Sequence, residues 1–210
     1  MQTRPYDEKD GRRIWLAQPE CADLLAVVDD DPRRRIAFQL GLHGLRKDEI
    51  VEVEPQHVRP LKGNTEGHVL TIPTGKTGKR EAPISDDLAQ RITYLKSAAQ
   101  LRKDECIITV SKRTLHNWMA DVRRHLAEQA ENSVESDAWA ELGMHDLRRT
   151  WATSTYYALA FAGVPIAEQL TMSWGGWKQT QTGRETFRQN YLGPVPDHIT
   201  GQATQKIAMS

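Results

Sequence analysis

The sequence predicts a mainly α fold with a small antiparallel β-sheet, an α+β class in which the sheet is inserted early in a helical domain. Apolar residues recur at helical offsets, as at Leu115, Met119, Val122 and Leu126. Between residues 57 and 84 this period gives way to short apolar runs separated by glycine and proline, which is typical of two or three strands joined by tight turns. At 210 residues and 39% hydrophobic content, the chain can bury a sizeable core.

The first part of the chain begins with a polar stretch. Residues 1–18 are expected to be a flexible N-terminal segment, and a short helix is predicted from Pro19. Asp31 and Pro32 are typical of an N-cap followed by proline in the first helical position, and the apolar residues after them predict a buried helix. Another helix is expected to begin near Leu45.

The chain after the predicted sheet is expected to be helical, with three exceptions. Residues 131–141 are polar and predict a loop, residues 174–177 predict a turn, and residues 196–210 contain few apolar side chains and predict an extended or disordered tail. The main domain is therefore expected to cover residues 19–195. The helices expected here cover approximately residues 88–95, 115–126, 145–162, 166–170 and 185–191.

Composition and charge limit the classes of protein. The 28 basic and 28 acidic residues give a formal net charge of zero, and basic residues form clusters such as 33–35 and 148–149. A basic face opposite an acidic face and a mixed, solvated surface both fit this pattern. No apolar run approaches the length of about 20 residues that crosses a membrane, and no signal peptide is recognisable. We therefore expect an intracellular, cytoplasmic protein without a membrane partner, with Cys21 and Cys106 as free thiols.

His145 and Arg148 are three residues apart at the predicted start of a helix. At this spacing both side chains point the same way from one turn, and the helix start offers free N–H groups and a partial positive charge. This arrangement suits a phosphate. Taken alone, the same pattern also fits a surface histidine and an arginine in salt bridges.

Four further residues complete a candidate phosphate site. Arg46 lies at a predicted helix start, Lys76 on a glycine-flanked turn, Trp177 after two glycines and Tyr191 at the end of the last predicted helix. Arginine matches phosphate oxygens with a planar fork of donors, lysine can protonate a leaving oxygen, and tyrosine can act as a covalent nucleophile. The sequence contains no recognisable carboxylate cluster for Mg²⁺. We therefore expect no metal and no other cofactor.

Five segments, taken in order, resemble the sequence boxes of one enzyme family. They are Leu42-His43-Gly44-Leu45-Arg46-Lys47-Asp48-Glu49-Ile50, residues 74–84 around Lys76, His145-Asp146-Leu147-Arg148-Arg149-Thr150-Trp151-Ala152-Thr153, Trp174-Gly175-Gly176-Trp177, and Glu185-Thr186-Phe187-Arg188-Gln189-Asn190-Tyr191. These segments are similar to the two arginine boxes, the lysine hairpin, the Leu-Gly-His box and the nucleophile box of the tyrosine recombinase (phage integrase) catalytic domain. The resemblance covers roughly residues 20–195.

The resemblance implies a site-specific DNA recombinase or integrase that cuts and rejoins strands through a 3′-phosphotyrosyl intermediate, in a virus, plasmid or other mobile element. Arg46 and Arg148 would hold the scissile phosphate, and Tyr191 would attack it. Lys76 would protonate the departing 5′ oxygen, and His145 would hydrogen-bond the phosphate. The implied partners are double-stranded DNA carrying recombination sites and further copies of the chain in a homotetramer, with residues 196–210 a candidate for exchange between protomers.

Other roles also follow from the resemblance. Glu49 is expected to brace the active-site groups, and Trp177 is expected to take the place of the usual histidine, with Trp174 as the alternative. Lys79 is the alternative to Lys76. Arg149 should point away from the site and be more replaceable than Arg148. Candidate contacts to the DNA backbone are Lys47, Lys79, Arg80, Arg149 and Lys178.

The chain also departs from the family's pattern. Trp177 and Tyr191 are 14 residues apart, several more than usual, which predicts a longer loop near residues 180–184 and leaves open whether Tyr191 acts in its own site or in a neighbour's. Only 45 residues precede Arg46, so either an excised catalytic domain or a minimal recombinase is expected. The alternatives are a noncatalytic DNA-binding regulator with the same fold, a type IB topoisomerase-like enzyme, and a helical adaptor for an acidic protein.

Overall fold

The computed structural model describes residues 1–63, 65–73 and 78–208. Within these residues the chain forms ten α-helices and five β-strands, and the strands form two antiparallel sheets. The mainly helical class with a small antiparallel sheet is therefore confirmed. No helix in the described part of the chain is both long and apolar enough to cross a membrane.

The elements of the N-terminal half alternate between short strands and helices. They are β1 (Gln2–Pro5), β2 (Arg12–Trp15), α1 (Gln18–Ala26), α2 (Pro32–Leu42), α3 (Lys47–Ile50), a 3-10 turn (Pro55–His57), β3 (Val58–Pro60), β4 (His68–Ile72) and β5 (Arg80–Ile84). The C-terminal half is helical. It consists of α4 (Asp86–Ala98), α5 (Lys112–Gln129), α6 (Ser133–Glu141), α7 (Met144–Phe161), α8 (Ala167–Gly175), α9 (Gln181–Asn190) and α10 (Asp197–Ala208).

The first 18 residues contain a β-hairpin, which differs from the flexible segment expected from the sequence. β1 and β2 pair antiparallel, and β2 packs against α7. Ile14, Trp15 and Leu16 are buried, and the amide of Leu16 donates to the Thr150 hydroxyl at 3.0 Å. Because most residues around these three are polar or charged, the composition of residues 1–18 does not indicate a buried strand. Three buried side chains and this bond are enough to dock the hairpin.

The second sheet has β4 at its centre. β3 and β5 both pair antiparallel with β4, and Leu70 lies opposite Val58 on one side and Ala82 on the other. The strands predicted between residues 57 and 84 are therefore confirmed. Lys76, predicted to lie on the turn between β4 and β5, falls outside the described residues.

Three segments expected to be irregular contain helices. α6 lies within residues 131–141, and α9 begins within residues 180–184, where Thr180 accepts from the Gly183 amide at 3.2 Å. α10 covers most of the predicted tail. Each of these helices packs through few buried residues, such as Trp139 in α6, Phe187 in α9 and Ile199 in α10.

The core is divided into two apolar clusters that meet along α7. The larger cluster includes Leu147, together with residues of α1 to α6 and the second sheet. The smaller cluster consists of Trp151, Ala152, Met172, Trp177 and Phe187. α7 contributes to both clusters, so its position is fixed from two sides. This arrangement matters because the first turn of α7 carries His145 and leads to Arg148.

Candidate active site

Arg148 is the largest fully buried side chain, with 0% exposure. Its Nη1 donates to the carbonyl of Gly44, and its Nη2 donates to the carbonyl of Gly175 at 2.6 Å. The Nε of Arg148 has no hydrogen-bond partner within the described residues. Burial, together with the charge of Arg46, lowers the pKa of Arg148 to about 9, which leaves the guanidinium charged at neutral pH. One N–H donor of a fixed cation is therefore free for a ligand.

Gly44 makes this placement of Arg148 possible. Its φ of +85° is in the left-handed region, and a Cβ on Gly44 would lie 2.4 Å from the Trp151 ring. A residue with a side chain would be both strained and obstructed here. The glycine lets the chain turn sharply after α2, so that its carbonyl faces Arg148.

Arg46 lies beside Arg148 but reaches the surface. Its side chain is 22% exposed. Its Nη1 donates to Glu49 at 2.8 Å, and its Nη2 donates to the carbonyl of Gly176 at 3.1 Å. The amide of Arg46 also donates to Glu49, at 2.8 Å, because Glu49 is the third residue of α3 and caps the start of its own helix. Arg46 is thus held in place while part of it remains accessible.

Arg80 is not available for a DNA contact, contrary to the sequence-based expectation. It is buried, and its Nη1 and Nη2 donate to the two carboxylate oxygens of Glu49 at 2.6 and 2.8 Å. Its Nε donates to the carbonyl of Trp174 at 2.8 Å. Burial alone would raise the pKa of Glu49, but the bonds and charges of Arg80 and Arg46 lower it to about 2. Glu49 therefore stays ionised and braces both arginines.

Arg149 has different hydrogen-bond partners from Arg148, and it is buried. It forms an ion pair with Asp146, and its Nε donates to the carbonyl of Asn190 at 2.9 Å. Arg149 is therefore not available for the predicted contact with the DNA backbone. That it is more replaceable than Arg148 stays a prediction. The sequence shows two adjacent arginines, and only the packing distinguishes them.

Tyr191 follows the last residue of α9 and lies against three of the predicted site residues. Its ring centroid is 5.2 Å from that of His145 and 4.6 Å from that of Trp177. The guanidinium carbon of Arg148 is 5.6 Å from the Tyr191 centroid. The structure thus brings Tyr191 together with the groups predicted to hold the phosphate, within one chain.

Trp177, rather than Trp174, has its indole beside Tyr191. Trp177 is 8% exposed, and its Nε1 has no hydrogen-bond partner in the part of the chain that the structure describes. The Arg148 guanidinium lies 4.1 Å from the Trp177 ring centroid. Trp174 is half-buried and packs against both apolar clusters. Because a buried N–H without an acceptor is costly, the free Nε1 of Trp177 suits a ligand oxygen.

His145 is neutral at physiological pH. Although its side of the site is open to solvent, the packed protein around the ring lowers its pKa, and the charges of Arg149, Arg148 and Arg46 lower it further, to about 3. A neutral imidazole can donate one hydrogen bond and accept another. In this form His145 can donate a hydrogen bond to a phosphate oxygen or accept one from a neighbouring hydroxyl.

The lysines predicted around the site lie at the surface where they are described. Lys47, Lys79 and Lys178 are exposed, whereas Lys76 falls outside the described residues. A cleft of about 630 Å³ runs from Arg46 and His145 to the first turn of α5. Lys112, Arg113 and His116 on that turn also line the cleft, and the site prediction did not include them. Their only signal in the sequence is a basic cluster at a helix start.

Chemically, the site combines two fixed guanidinium groups, a neutral imidazole, a free indole N–H and a tyrosine hydroxyl. These groups can bind a tetrahedral phosphate through several donors and place a nucleophile beside it. Among the described residues, no group of three or more His, Cys, Asp or Glu side chains is arranged to hold a metal ion.

Comparison with known proteins identifies the fold. A scan of protein-family models and a search of curated protein sequences find no match. Among solved structures, the chain is similar to XerA recombinase at 15% identity, with a TM-score of 0.62 over 92% of this chain and 64% of that one. It is similar to XerH site-specific recombinase bound to palindromic difH substrate at 16% identity, with a TM-score of 0.58 over 90% and 52%. It is also similar to the Tn1549 transposon integrase in complex with circular intermediate DNA at 14% identity, with a TM-score of 0.59 over 95% of this chain and 67% of that one.

The chain has the catalytic-domain fold of the tyrosine recombinases. The resemblance drawn from five sequence segments is therefore confirmed for the fold. The chain spans about half to two thirds of the length of these solved chains.

Proposed function

We propose that this protein is a site-specific DNA recombinase or integrase of a mobile element, which cuts and rejoins DNA strands through a 3′-phosphotyrosyl intermediate. The observation that carries the proposal is the contact of the Tyr191 ring with His145, Trp177 and Arg148 in one site. The DNA complexes among the structural neighbours support double-stranded DNA as the partner. The catalytic unit includes the N-terminal hairpin as well as residues 19–195.

In the proposed reaction, the hydroxyl oxygen of Tyr191 attacks the scissile phosphorus while the bond from phosphorus to the 5′ oxygen breaks. His145 accepts the hydroxyl proton after the bound phosphate has offset the neighbouring cations and raised the pKa of the ring. Arg46 and Arg148 balance the charge that develops on the phosphate oxygens, and Trp177 donates its free N–H to one of them. The energy of the broken bond is kept in the phosphotyrosine, so a 5′ hydroxyl can reverse the step and join strands without ATP.

The 5′ oxygen needs a proton as it leaves, and we propose Lys76 as its donor, on the basis of its position in the lysine box. Replacing that oxygen by sulfur removes most of this need. Lys76→Ala should therefore cleave 5′-phosphorothiolate DNA far better than ordinary DNA, and Lys79→Ala should not show this difference. Equal defects of Lys76→Ala on both substrates would contradict the assignment.

Covalent trapping tests the proposed function directly. The substrate is a pool of nicked duplexes with randomised sequence. After cleavage, the short fragment that carries the free 5′ hydroxyl dissociates and religation is prevented. Any protein–DNA adduct therefore persists and can be resolved on a denaturing gel. The wild-type protein should form such an adduct, and Tyr191→Phe should form none. Tyr156→Phe is the matched control, because Tyr156 packs in the same apolar cluster without contacting His145.

The other outcomes of trapping separate the alternatives. A wild-type protein that binds DNA and forms no adduct would be a noncatalytic regulator with this fold. Relaxation of a supercoiled plasmid by the protein without paired sites would indicate topoisomerase activity. An adduct in Tyr191→Phe would disprove the nucleophile assignment.

We further propose that the protein acts as a homotetramer on DNA and exchanges residues 196–210 between protomers. α10 packs on α7 of its own chain largely through Ile199, so few contacts are lost if the helix moves to a neighbour. A chain ending at Pro196 should bind DNA as a monomer and lose cooperativity in a mobility-shift titration. Unchanged cooperativity would contradict the exchange.

A further inference from the structure

Side chains from β2 and α7 hold the backbone around Tyr191. The indole Nε1 of Trp15 and the hydroxyl of Thr153 both donate to the carbonyl of Tyr191, each at 2.9 Å. The Thr153 hydroxyl also accepts from the amide of Gly193 at 2.9 Å. Thr153 thus bridges two points of the chain on either side of Leu192.

The preceding residue is held in the same way. Arg149 donates from Nε to the carbonyl of Asn190 at 2.9 Å, and Arg13 donates to the Asn190 side chain at 3.3 Å. Gly193 lies so close to Trp15 that a Cβ on it would be 2.6 Å from the indole ring. The segment 190–193 is therefore fixed by hydrogen bonds and by close packing.

These side-chain hydrogen bonds are made to the carbonyls at the end of α9, those of Asn190 and Tyr191. The last carbonyls of a helix have no partner within the helix and commonly bind water. Here the partners are Trp15, Thr153 and Arg149, all of which are buried, so water does not compete for the bonds. Thr153 and Arg149 lie on α7, the helix that also carries His145 and Arg148. The nucleophile and the phosphate-binding groups are therefore positioned from the same helix.

We propose that Trp15, Thr153 and Arg149 are positioning residues that hold Tyr191 at its place of attack. This inference rests on the proposed function, in which Tyr191 is the nucleophile. It gives the N-terminal hairpin a role in catalysis, because β2 contributes Trp15, and the amide of Leu16, the residue after β2, donates to Thr150 on α7.

Thr153→Val tests the proposal, because valine has nearly the same shape and lacks both hydrogen bonds. We expect adduct formation to be about 10- to 100-fold slower, as is typical when a reacting group is misplaced. The affinity for intact DNA should not change, because Arg46 and Arg148 are untouched. Thr153→Ser restores the hydroxyl and should recover most of the rate. Trp15→Phe, which keeps a ring against Gly193, should also slow the reaction without weakening binding.

The hydrogen bonds of Thr153 to Tyr191 and Gly193 form a clamp on this segment. Hydrogen exchange of the Gly193 amide, measured by NMR, tests the clamp without catalysis. Exchange should be faster in Thr153→Val than in the wild type and in Thr153→Ser. Equal exchange rates would overturn the clamp, whether or not the protein cleaves DNA. An active wild type and an equally active Thr153→Val would overturn the positioning role while leaving the proposed function intact. Failure of Thr153→Ser to recover the rate would also overturn it, since general damage to the fold would then explain the loss.

Discussion

Two buried carboxylates, Glu49 and Asp146, occupy the same place in their helices and have different electrostatic surroundings. Each is the third residue of a helix and accepts a hydrogen bond from the amide of its own N-cap residue, at 2.8 Å for Glu49 and 2.9 Å for Asp146. Each also forms an ion pair with arginine. One local motif therefore occurs at the start of α3 and again at the start of α7.

The two carboxylates differ in how many cations share them. Glu49 binds both Arg46 and Arg80, so its group of three carries one excess positive charge, and its pKa is lowered to about 2. Asp146 pairs with Arg149 alone, and burial raises its pKa despite that partner. Asp146 uses its remaining bonding capacity on backbone amides, including that of Ile14 at 3.2 Å.

This difference assigns different tasks to the two groups. The excess charge at Glu49 resides beside the partly exposed Arg46, where an anion can reach it. The balanced pair at Asp146 attracts no anion and instead ties β2 to α7. In the proposed reaction, a capping carboxylate would thus support the binding of the phosphate at one helix and the position of Tyr191 at the other.

Replacing the adjacent residues Arg148 and Arg149 one at a time should give the largest difference in the rate of adduct formation between the two surroundings. Arg148→Lys keeps the charge and loses the planar fork, so adduct formation should fall by about 10²- to 10³-fold, as for the loss of an oxyanion donor. Arg149→Lys is the matched control and should lose less, with unchanged affinity for DNA. Single-turnover trapping and fluorescence anisotropy measure the two quantities. Equal losses in both variants would mean that the two arginines do not have separate tasks.

Glu49→Gln and Asp146→Asn compare the carboxylates themselves. The shift of the Glu49 pKa from 4.5 to about 2 corresponds to about 3 kcal/mol of stability. Because the pKa is lowered in the folded protein, this stability is present above about pH 4.5 and is lost as the pH falls towards 2. Asp146 has a raised pKa, so neutralising it should cost less.

Urea denaturation at pH 7 and pH 3 gives the measurement. The loss caused by Glu49→Gln should be larger than that of Asp146→Asn at pH 7 and should shrink at pH 3. A loss that is the same at both pH values would show that the charge of Glu49 is not what stabilises the fold.

The sequence was sufficient to predict the fold class and to select five residues that lie close together in the structure. Strong periodicity located α5. The order of five short segments led to Arg46, His145, Arg148, Trp177 and Tyr191, which the structure places together. It was not sufficient where partners are distant along the chain. A charged residue such as Arg80 reads locally as exposed, and only the packing of β5 against α3 and α8 shows that it is buried on Glu49.

The same reason explains the errors at the ends of the chain. Trp15 and Thr153 carry no local sign that both bind the carbonyl of Tyr191, because the contact joins residues 176 and 38 positions apart. α6 and α10 each bury few apolar residues, among them Trp139 and Ile199, so the local sequence gives little indication that they pack on the core.

Trp177→Phe tests a smaller contribution to the site, because it removes one N–H and keeps a ring beside Tyr191. A hydrogen bond to a charged group contributes about 1.5 kcal/mol, so adduct formation should be about 10-fold slower. Trp174→Phe is the control and should react at the wild-type rate, since phenylalanine keeps an apolar ring against the clusters and the backbone carbonyl that binds Arg80. A larger defect in Trp174→Phe would reverse the assignment of the two tryptophans.

The last prediction concerns His145, whose pKa responds to the arginines that pair with Asp146 and with Glu49. The protein packed around the solvent-exposed His145, and then the charges of Arg149, Arg148 and Arg46, lower its pKa from 6.5 to about 3. The unfolded chain therefore binds a proton at His145 before the folded protein does, and stability that is present above pH 6.5 declines as the pH falls towards 3. An NMR titration, with the resonance assigned by its absence in His145→Gln, should show a neutral ring down to pH 5. A midpoint near 6.5 would mean that the cations do not act on His145. Because a bound phosphate offsets these cations, the same resonance should titrate at higher pH in the complex with DNA.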